Sequence, residues 1–305
     1  MGRTAYIFPG QGSQYVGMAR EYAALPAGRA LIEEADRILG FPLSAVCFEG
    51  PEEELRQTRN TQPAIFLHSM LAARALGEAE TPAMLAGHSL GEYSALVVAG
   101  ALSFEDGLRL VRVRGELMQR AGESRRGTMA AVVGLPGPDL EALCREASTA
   151  GIVQPANFNS PGQTVISGSV EGVHRAMELA RERGAKLVKE LVVSGAFHSP
   201  LMEEAREGLM HALATAAVND ARIPVYTNVT AEPVTRAGEI RELLVRQLTA
   251  PVLWEQSVRN MVRDGATRFL ELGPGKVLQN LVKRIHPAAT LRGVDRASEA
   301  TGEQP

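Results

Sequence analysis

The sequence predicts a mixed α/β protein: a large body built on a short parallel sheet, interrupted by a small α+β module. Three observations lead there. Alanine and leucine abound while aromatic residues make up only 5% of the 305 residues, a composition of helix-rich α/β chains rather than of β-sandwiches. Short apolar runs bounded by glycine or proline alternate with helical stretches, the rhythm of strand–helix units around a parallel sheet. Between residues 127 and 193 that rhythm changes, and beyond Ser199 it resumes. The chain therefore divides into a discontinuous domain, residues 1–126 with 194–305, and an insert, residues 127–193. The length suits about two domains at ~150 residues each.

Element by element, Thr4–Phe8 reads as a strand that enters the glycine-rich turn Pro9-Gly10-Gln11-Gly12-Ser13-Gln14. Helices are expected at about 15–25, 28–39 and 62–76, with Thr81-Pro82 as a break. Met84-Leu85-Ala86 is a brief buried strand, Gly87–Gly91 a turn, 92–99 an apolar helix, and Phe104 to about Arg120 a longer one. The polar stretch Gly122–Gly127 reads as a hinge. Within the insert, strands are expected at Thr128–Val133, Ile152–Asn157, Thr164–Ser167 and Ala185–Leu191, with helices at Pro138–Ser148 and Val170–Arg183. Strand-helix-strand-strand-helix-strand over ~65 residues is the split βαβ, or ferredoxin-like, order. The large domain then continues with helix 201–216, strand 223–227, helices 239–248 and 254–263, strand 267–271 and helix 276–285. The last nine residues, Ala297–Pro305, are small or polar and are expected to fray.

Composition also excludes several functions. A net charge of −3 with 22% charged residues leaves no basic excess for nucleic acid or an anionic membrane. No apolar run reaches the ~18 residues of a membrane span, and the N-terminus lacks the apolar core of a signal peptide. The two cysteines, Cys47 and Cys144, are far apart and in no CxxC, so a reducing, cytoplasmic setting is expected.

Chemistry concentrates in a few residues. Gly87-x-Ser89-x-Gly91 lies between an apolar strand and an apolar helix, the setting of a nucleophile elbow, although a bare GxSxG also arises by chance in a glycine-rich chain. A serine needs a base. Of His68, His88, His174, His198, His211 and His286, the pattern puts His174 and His211 on helix surfaces and His68 inside a helix as a core residue. His198 stands apart, in the loop Ser194–Pro200 where the chain re-enters the large domain. Arg114 falls within the apolar arc formed by Leu110, Val111, Val113, Leu117, Met118 and Ala121 at ~100° per residue. A guanidinium facing the core requires an anion. An internal glutamate and a substrate carboxylate both satisfy that demand, and a planar fork suits the second better than lysine would. Gly10-Gln-Gly12 lacks the third glycine of a dinucleotide fingerprint, and Gly273-Pro-Gly275-Lys276 lacks P-loop spacing; each remains able to offer N–H groups to an oxyanion. No metal-ligand spacing occurs, so no metal is assigned.

Taken in order, Phe8–Gln14, Gly87-His-Ser-Leu-Gly-Glu-Tyr-Ser94, the Arg114 helix, Asn157-Phe-Asn-Ser-Pro-Gly-Gln163, Ala196-Phe-His-Ser199, Val245-Arg-Gln-Leu248 and Glu271-Leu-Gly-Pro-Gly-Lys276 closely resemble the malonyl-CoA:acyl carrier protein transacylase family of fatty acid synthesis. The resemblance runs from about residue 4 to 292, and seven ordered motifs carry it. It implies a large α/β-hydrolase-like domain with a ferredoxin-like insert. It also implies ping-pong transfer of malonyl from malonyl-CoA, through a malonyl-serine, to the phosphopantetheine thiol of holo acyl carrier protein. By the same likeness Ser89 is the nucleophile and His198 the base, a dyad whose histidine is held by a backbone carbonyl of the Gln247 segment. The N–H groups of Gln11 and Leu90 form the oxyanion hole, Arg114 binds the malonyl carboxylate, and His88, Asn159, Met118 and Phe197 support the site or set specificity. Phenylalanine before the histidine accompanies a malonyl preference among related acyltransferases, where a smaller residue often accompanies methylmalonyl.

The resemblance further implies no cofactor, no nucleic-acid or membrane partner, and a monomer. Its rivals are an acyltransferase loading a polyketide carrier, a serine thioesterase and a non-catalytic carrier-binding module. An acidic carrier would meet basic residues, for which Arg125, Arg126, Lys186, Lys189, Lys283 and Arg284 are candidates.

Overall fold

Strand β1 (Arg3–Phe8) is the axis of the larger sheet in the computed structural model, which describes residues 2–77 and 80–301. Around it stand β2 (Met84–Gly87), β7 (Val225–Tyr226), β8 (Pro233–Val234), β9 (Ala266–Leu272) and β10 (Thr290–Val294), in the order β10-β9-β1-β2-β7-β8. All neighbours run parallel except β7 and β8. A parallel sheet needs cover on both faces, and the alternation along β1 supplies it. Tyr6 and Phe8 join the core with helices Thr58–Leu76, Gly91–Val98 and Phe104–Ser124, whereas Ala5 and Ile7 join a second core with helices Trp254–Arg263 and Val277–Ile285. The chain is thus a mixed α/β protein on a parallel sheet.

A second, antiparallel sheet holds β3 (Gly127–Val133), β4 (Val153–Ser160), β5 (Gln163–Ser169) and β6 (Leu187–Glu190), in the order β4-β5-β3-β6. Helices Gly137–Ala147 and Val170–Glu182 cover one face through Ala130, Val132 and Ile166. From the other face Met129, Ala156 and Val165 join the large core, so this sheet forms a wall over the larger one. Main-chain hydrogen bonds help stitch the units together, Phe158 N to Val252 O (2.9 Å) and Val252 N to Ala156 O (2.8 Å). The outgoing and returning chains also touch: a Cβ on Gly122 would lie 1.9 Å from the Ser194 carbonyl oxygen, so only glycine permits that crossing.

Several expected boundaries move. No helix fills 15–25; Gly17 and Ala19 adopt positive φ and leave a single 3₁₀ stretch, Arg20–Ala24. The next helix begins at Pro26, whose fixed φ suits a first turn, and ends at the left-handed Gly40. The helix expected from 62 begins at Thr58 despite Pro63. The Arg59 carbonyl, which proline cannot bond, instead accepts Arg112 Nη1 at 3.0 Å. The helix across Arg114 continues to Ser124, so the expected hinge shrinks to Arg125 and Arg126. Helices Leu43–Glu49 and Glu52–Arg56 and strand β10 were not anticipated, because each is too short to show a period. The expected fraying of 297–305 meets a helical turn at Ala297–Thr301, and residues 302–305 lie outside the described ones.

Candidate active site

The Gly87–Gly91 turn joins β2 to helix Gly91–Val98, and both glycines are obligatory there. A Cβ on Gly87 would sit 1.9 Å from the Gly91 carbonyl carbon, and one on Gly91 would sit 2.1 Å from the Phe8 carbonyl oxygen. Squeezed between them, Ser89 adopts φ 52°, a left-handed conformation that costs a non-glycine residue about 1–3 kcal/mol. Asn228, just past β7, holds it there: Ser89 N donates to Asn228 Oδ1 (2.7 Å) while Asn228 Nδ2 donates to the Gly87 carbonyl (2.6 Å). This is the geometry of a nucleophile elbow.

His198 also has positive φ, 57°, and its carbonyl accepts Gln154 Nε2 of the smaller sheet at 2.9 Å. Its Nε2 lies 2.9 Å from Ser89 Oγ and its Nδ1 lies 2.8 Å from the Gln247 carbonyl oxygen. Gln247 closes helix Ala237–Gln247, where the last carbonyls lack intrahelical partners and one is free to accept the imidazole N–H. That bond makes Nδ1 the donor and leaves Nε2 as acceptor for the serine proton. Burial first, then the neighbouring Arg114 cation, depress the His198 pKa to about 3, so the ring is neutral at neutral pH.

Arg114, fully buried, is paired directly to no glutamate among the described residues. Nη1 donates to Gln62 Oε1 (2.8 Å), and Nη2 donates to Gln247 Oε1 (2.9 Å) and to Ser89 Oγ (3.0 Å). Its Nε finds no partner among the described residues. The guanidinium also lies over the Tyr93 ring, 5.7 Å from its centroid. Gln247 Nε2 in turn donates to the Ser89 carbonyl (3.0 Å) and to Glu92 Oε2 (2.9 Å), and that same carboxylate oxygen accepts Asn228 N (2.9 Å). Burial pushes the Glu92 pKa up to about 7, against the pull of these donors and of Arg114.

A cleft of about 240 Å³ opens over Ser89 between the two sheets, lined by Gln11, His88, Asn159, Val165, Phe197 and His198 among others. His88 Nε2 meets Asn159 Oδ1 at 2.9 Å, and burial lowers its pKa, so His88 is a neutral wall residue. A larger cleft of about 600 Å³ runs beside it and shares Gln11, Leu191 and Val193, but reaches neither Ser89 nor His198. Of the residues singled out from sequence, Ser89, His198, Arg114 and Gln247 are linked by hydrogen bonds, and Gln11, His88, Asn159 and Phe197 line the cleft. Leu90 is buried at the start of the helix, and among the described residues neither it nor Gln11 donates its N–H to a backbone carbonyl. Met118 does not line the cleft; it lies behind it, 3.2 Å by its sulfur from Gln62 Nε2.

Gln62, Glu92 and Asn228 were missed. Glu92 alone carried a signal, being a carboxylate in the otherwise apolar stretch Gly91–Val98, the same anomaly that exposed Arg114. His68, expected as a satisfied core residue, bonds the Asp295 carbonyl (2.7 Å) and carboxylate (3.3 Å) away from the cleft.

Comparison with known proteins places the chain in a family. The model of the acyl transferase domain family matches residues 5–299. The malonyl CoA-acyl carrier protein transacylase of Bacillus subtilis is 47% identical over 94% of this chain and 91% of its own length. That of Escherichia coli K12 is 44% identical over 98% and 97%. Among solved structures, the malonyl CoA-acyl carrier protein transacylase of Coxiella burnetii superposes with a TM-score of 0.96 at 38% identity, covering 99% of this chain and 96% of that one. A malonyl-transacylase solved in complex with its type II PKS acyl-carrier protein gives 0.94 at 40% identity, covering 99% and 98%. By its nearly full-length match to the family model and its identity to these relatives, the chain belongs to the acyl transferase domain family, among the malonyl CoA-acyl carrier protein transacylases.

Proposed function

We propose that this protein transfers the malonyl group of malonyl-CoA to the phosphopantetheine thiol of holo acyl carrier protein, supplying fatty acid synthesis. One observation carries the reading: Ser89 Oγ bonds at once to His198 Nε2 (2.9 Å) and to the buried Arg114 Nη2 (3.0 Å). A nucleophile, its base and a permanent cation meet at one atom, which suits an acyl group that ends in a carboxylate and suits acetyl poorly. Full-length likeness to malonyl CoA-acyl carrier protein transacylases supports the same substrate pair.

His198 Nε2 takes the Ser89 proton as Oγ attacks the thioester carbonyl. The tetrahedral oxyanion meets the N–H groups of Gln11 and Leu90, donors of a kind worth about 3–4 kcal/mol each. Collapse expels the CoA sulfur, which receives the proton from His198, and leaves malonyl-Ser89. In the second half the carrier thiol gives its proton to His198 and attacks the ester, the malonyl group moves to sulfur, and His198 returns the proton to Ser89. Through both halves Arg114 holds the malonyl carboxylate. The transfer uses side chains and backbone N–H groups alone and needs no cofactor. His88 and Asn159 brace one wall, Phe197 limits the space beside the α-carbon, and Met118 acts only through Gln62.

We read the larger unit as α/β-hydrolase-like and the insert as ferredoxin-like, working as a cytoplasmic monomer. Arg284, which bonds the cleft-lining Gln163, is the basic residue best placed to meet an acidic carrier at the mouth. A polyketide carrier is the second reading, favoured by 44% identity to a part, 24%, of the polyketide biosynthesis protein ThaF of Burkholderia thailandensis.

Intact mass after incubation with malonyl-CoA tests the proposal. We expect a malonyl adduct, absent in Ser89→Ala, that moves to holo fatty-acid carrier protein when it is added. Release of free malonate with no carrier loaded would establish a thioesterase instead.

A further inference from the structure

One group at the site has no part in the transfer described above: the Glu92 carboxylate, buried beside Gln247 and Asn228. Its Oε2 accepts Gln247 Nε2, while the opposite end of the same amide, Oε1, accepts Arg114 Nη2. The Gln247 side chain is therefore a neutral bridge with an anion at its N–H₂ end and a cation at its oxygen end. Turned over, the amide would point its oxygen at the carboxylate and its N–H₂ at the guanidinium, two repulsive contacts. An ionised Glu92 therefore selects the one orientation in which Arg114 has an acceptor beside Ser89. We propose that Glu92 is a positioning residue for malonyl: its charge, acting through the Gln247 amide, orients the Arg114 guanidinium for the substrate carboxylate.

The inference rests on the malonyl-transfer reading. Its logic separates charge from fold. Burial works against the ionised carboxylate, so ionising it does not serve stability. A residue kept only for packing would be served as well by glutamine. The charged and titratable groups facing Glu92 are Arg114, from helix Phe104–Ser124, and Tyr93, adjacent on its own helix; Asn228 and Gln247 present neutral groups, and His198 lies beyond the Gln247 main chain.

The test compares malonyl-CoA with acetyl-CoA, which has no carboxylate for Arg114, in self-acylation of Ser89. Wild type is read first: without a malonyl adduct the transferase reading itself falls. Given that adduct, Glu92→Gln should lower kcat/KM for malonyl-CoA about 10-fold, mainly through KM, and leave acetyl-CoA within about 3-fold. Glu92→Asp, which keeps the charge, should recover part of the loss. Equal losses for both substrates, or none for either, would overturn the role of Glu92 and leave the transferase reading standing. Should Glu92→Gln not fold, wild type decides: the malonyl-to-acetyl ratio of kcat/KM should rise with pH through about 7 as Glu92 ionises. A flat ratio from pH 5.5 to 8.5 would overturn the proposal.

Discussion

The cleft and the body beneath it each bury a histidine, and the two are held in opposite ways. His198 sits in a strained loop with its Nδ1 on a main-chain carbonyl, its Nε2 on a serine hydroxyl, and no carboxylate bonded to it. His68 lies in the middle of helix Thr58–Leu76, its Nε2 against Asp295 and its ring edge-on to Tyr22 at 5.5 Å. An aspartate partner ties a ring to the scaffold across 227 residues of chain, and joins the start of the C-terminal segment to the core. At His198 the carbonyl acceptor fixes the tautomer and leaves Nε2 facing the Ser89 hydroxyl, whereas the ring of His68 faces no nucleophile. The same side chain thus tethers two segments in one region and, in the proposed mechanism, serves as a base in the other.

The largest expected effect would break the comparison outright if it failed. His198→Ala should slow acylation of Ser89 by about 10⁴-fold or more, as loss of a base does in serine enzymes, with little change in Tm. His68→Ala should do the reverse: acylation within about 3-fold, and a loss of about 2–4 kcal/mol from the vacated space and the orphaned Asp295. Stopped-flow acylation and thermal unfolding of both variants check it. If both lost activity equally, His68 would belong to the site.

Much of this contrast was legible from the sequence. A histidine inside a helical pattern and one in a loop at a domain junction read differently before any coordinates, and so did Arg114, because one polar residue in an apolar arc is conspicuous. What joins them was not legible. Gln62, Glu92 and Asn228 come from helix Thr58–Leu76, helix Gly91–Val98 and the turn after β7, and converge only because β2 lies between β1 and β7. Sheet order brings residues 62, 89, 114, 198, 228 and 247 to one end of the parallel strands, and no local pattern encodes that order. Strand β1 and the strand-helix-strand-strand-helix-strand order between residues 127 and 193 were visible because a short apolar run and chain order are local properties. The helix missed at Leu43–Glu49 is two turns long and gives a period little room to repeat.

The second prediction sharpens the comparison through pH. The folded-state pKa of His198 is depressed from 6.5 to about 3, so the unfolded chain binds the proton more readily. The associated stability is present above pH 6.5 and is lost as pH falls from there toward 3. Glu92 has the opposite sign: its pKa is raised from 4.5 to about 7, so its contribution is present below pH 4.5 and is lost as pH rises toward 7. Denaturant unfolding between pH 4 and 7 should show His198→Gln losing less stability than wild type on acidification, by about 1–3 kcal/mol. Parallel wild-type and variant curves would mean that the buried ring carries no such linkage.

The smallest expected effect concerns the residue that precedes each histidine. Phe197 lines the cleft, whereas Leu67 is packed in the large core. Shortening the first should therefore act on substrates and shortening the second on folding. Phe197→Ser removes a ring from beside the reacting acyl group, and space for one methyl branch is worth about 1–3 kcal/mol, or roughly 10-fold and more in discrimination. The methylmalonyl-to-malonyl ratio of kcat/KM should rise by about 10-fold, most of it from faster methylmalonyl transfer. Leu67→Ala should leave that ratio alone and lower stability by about 2–5 kcal/mol. Competition between the two CoA esters, read as the mass of the acyl-serine adduct, measures the ratio directly. An unchanged ratio in Phe197→Ser would move the control of the α-carbon to other walls of the cleft, among which His88 and Asn159 already form a rigid pair.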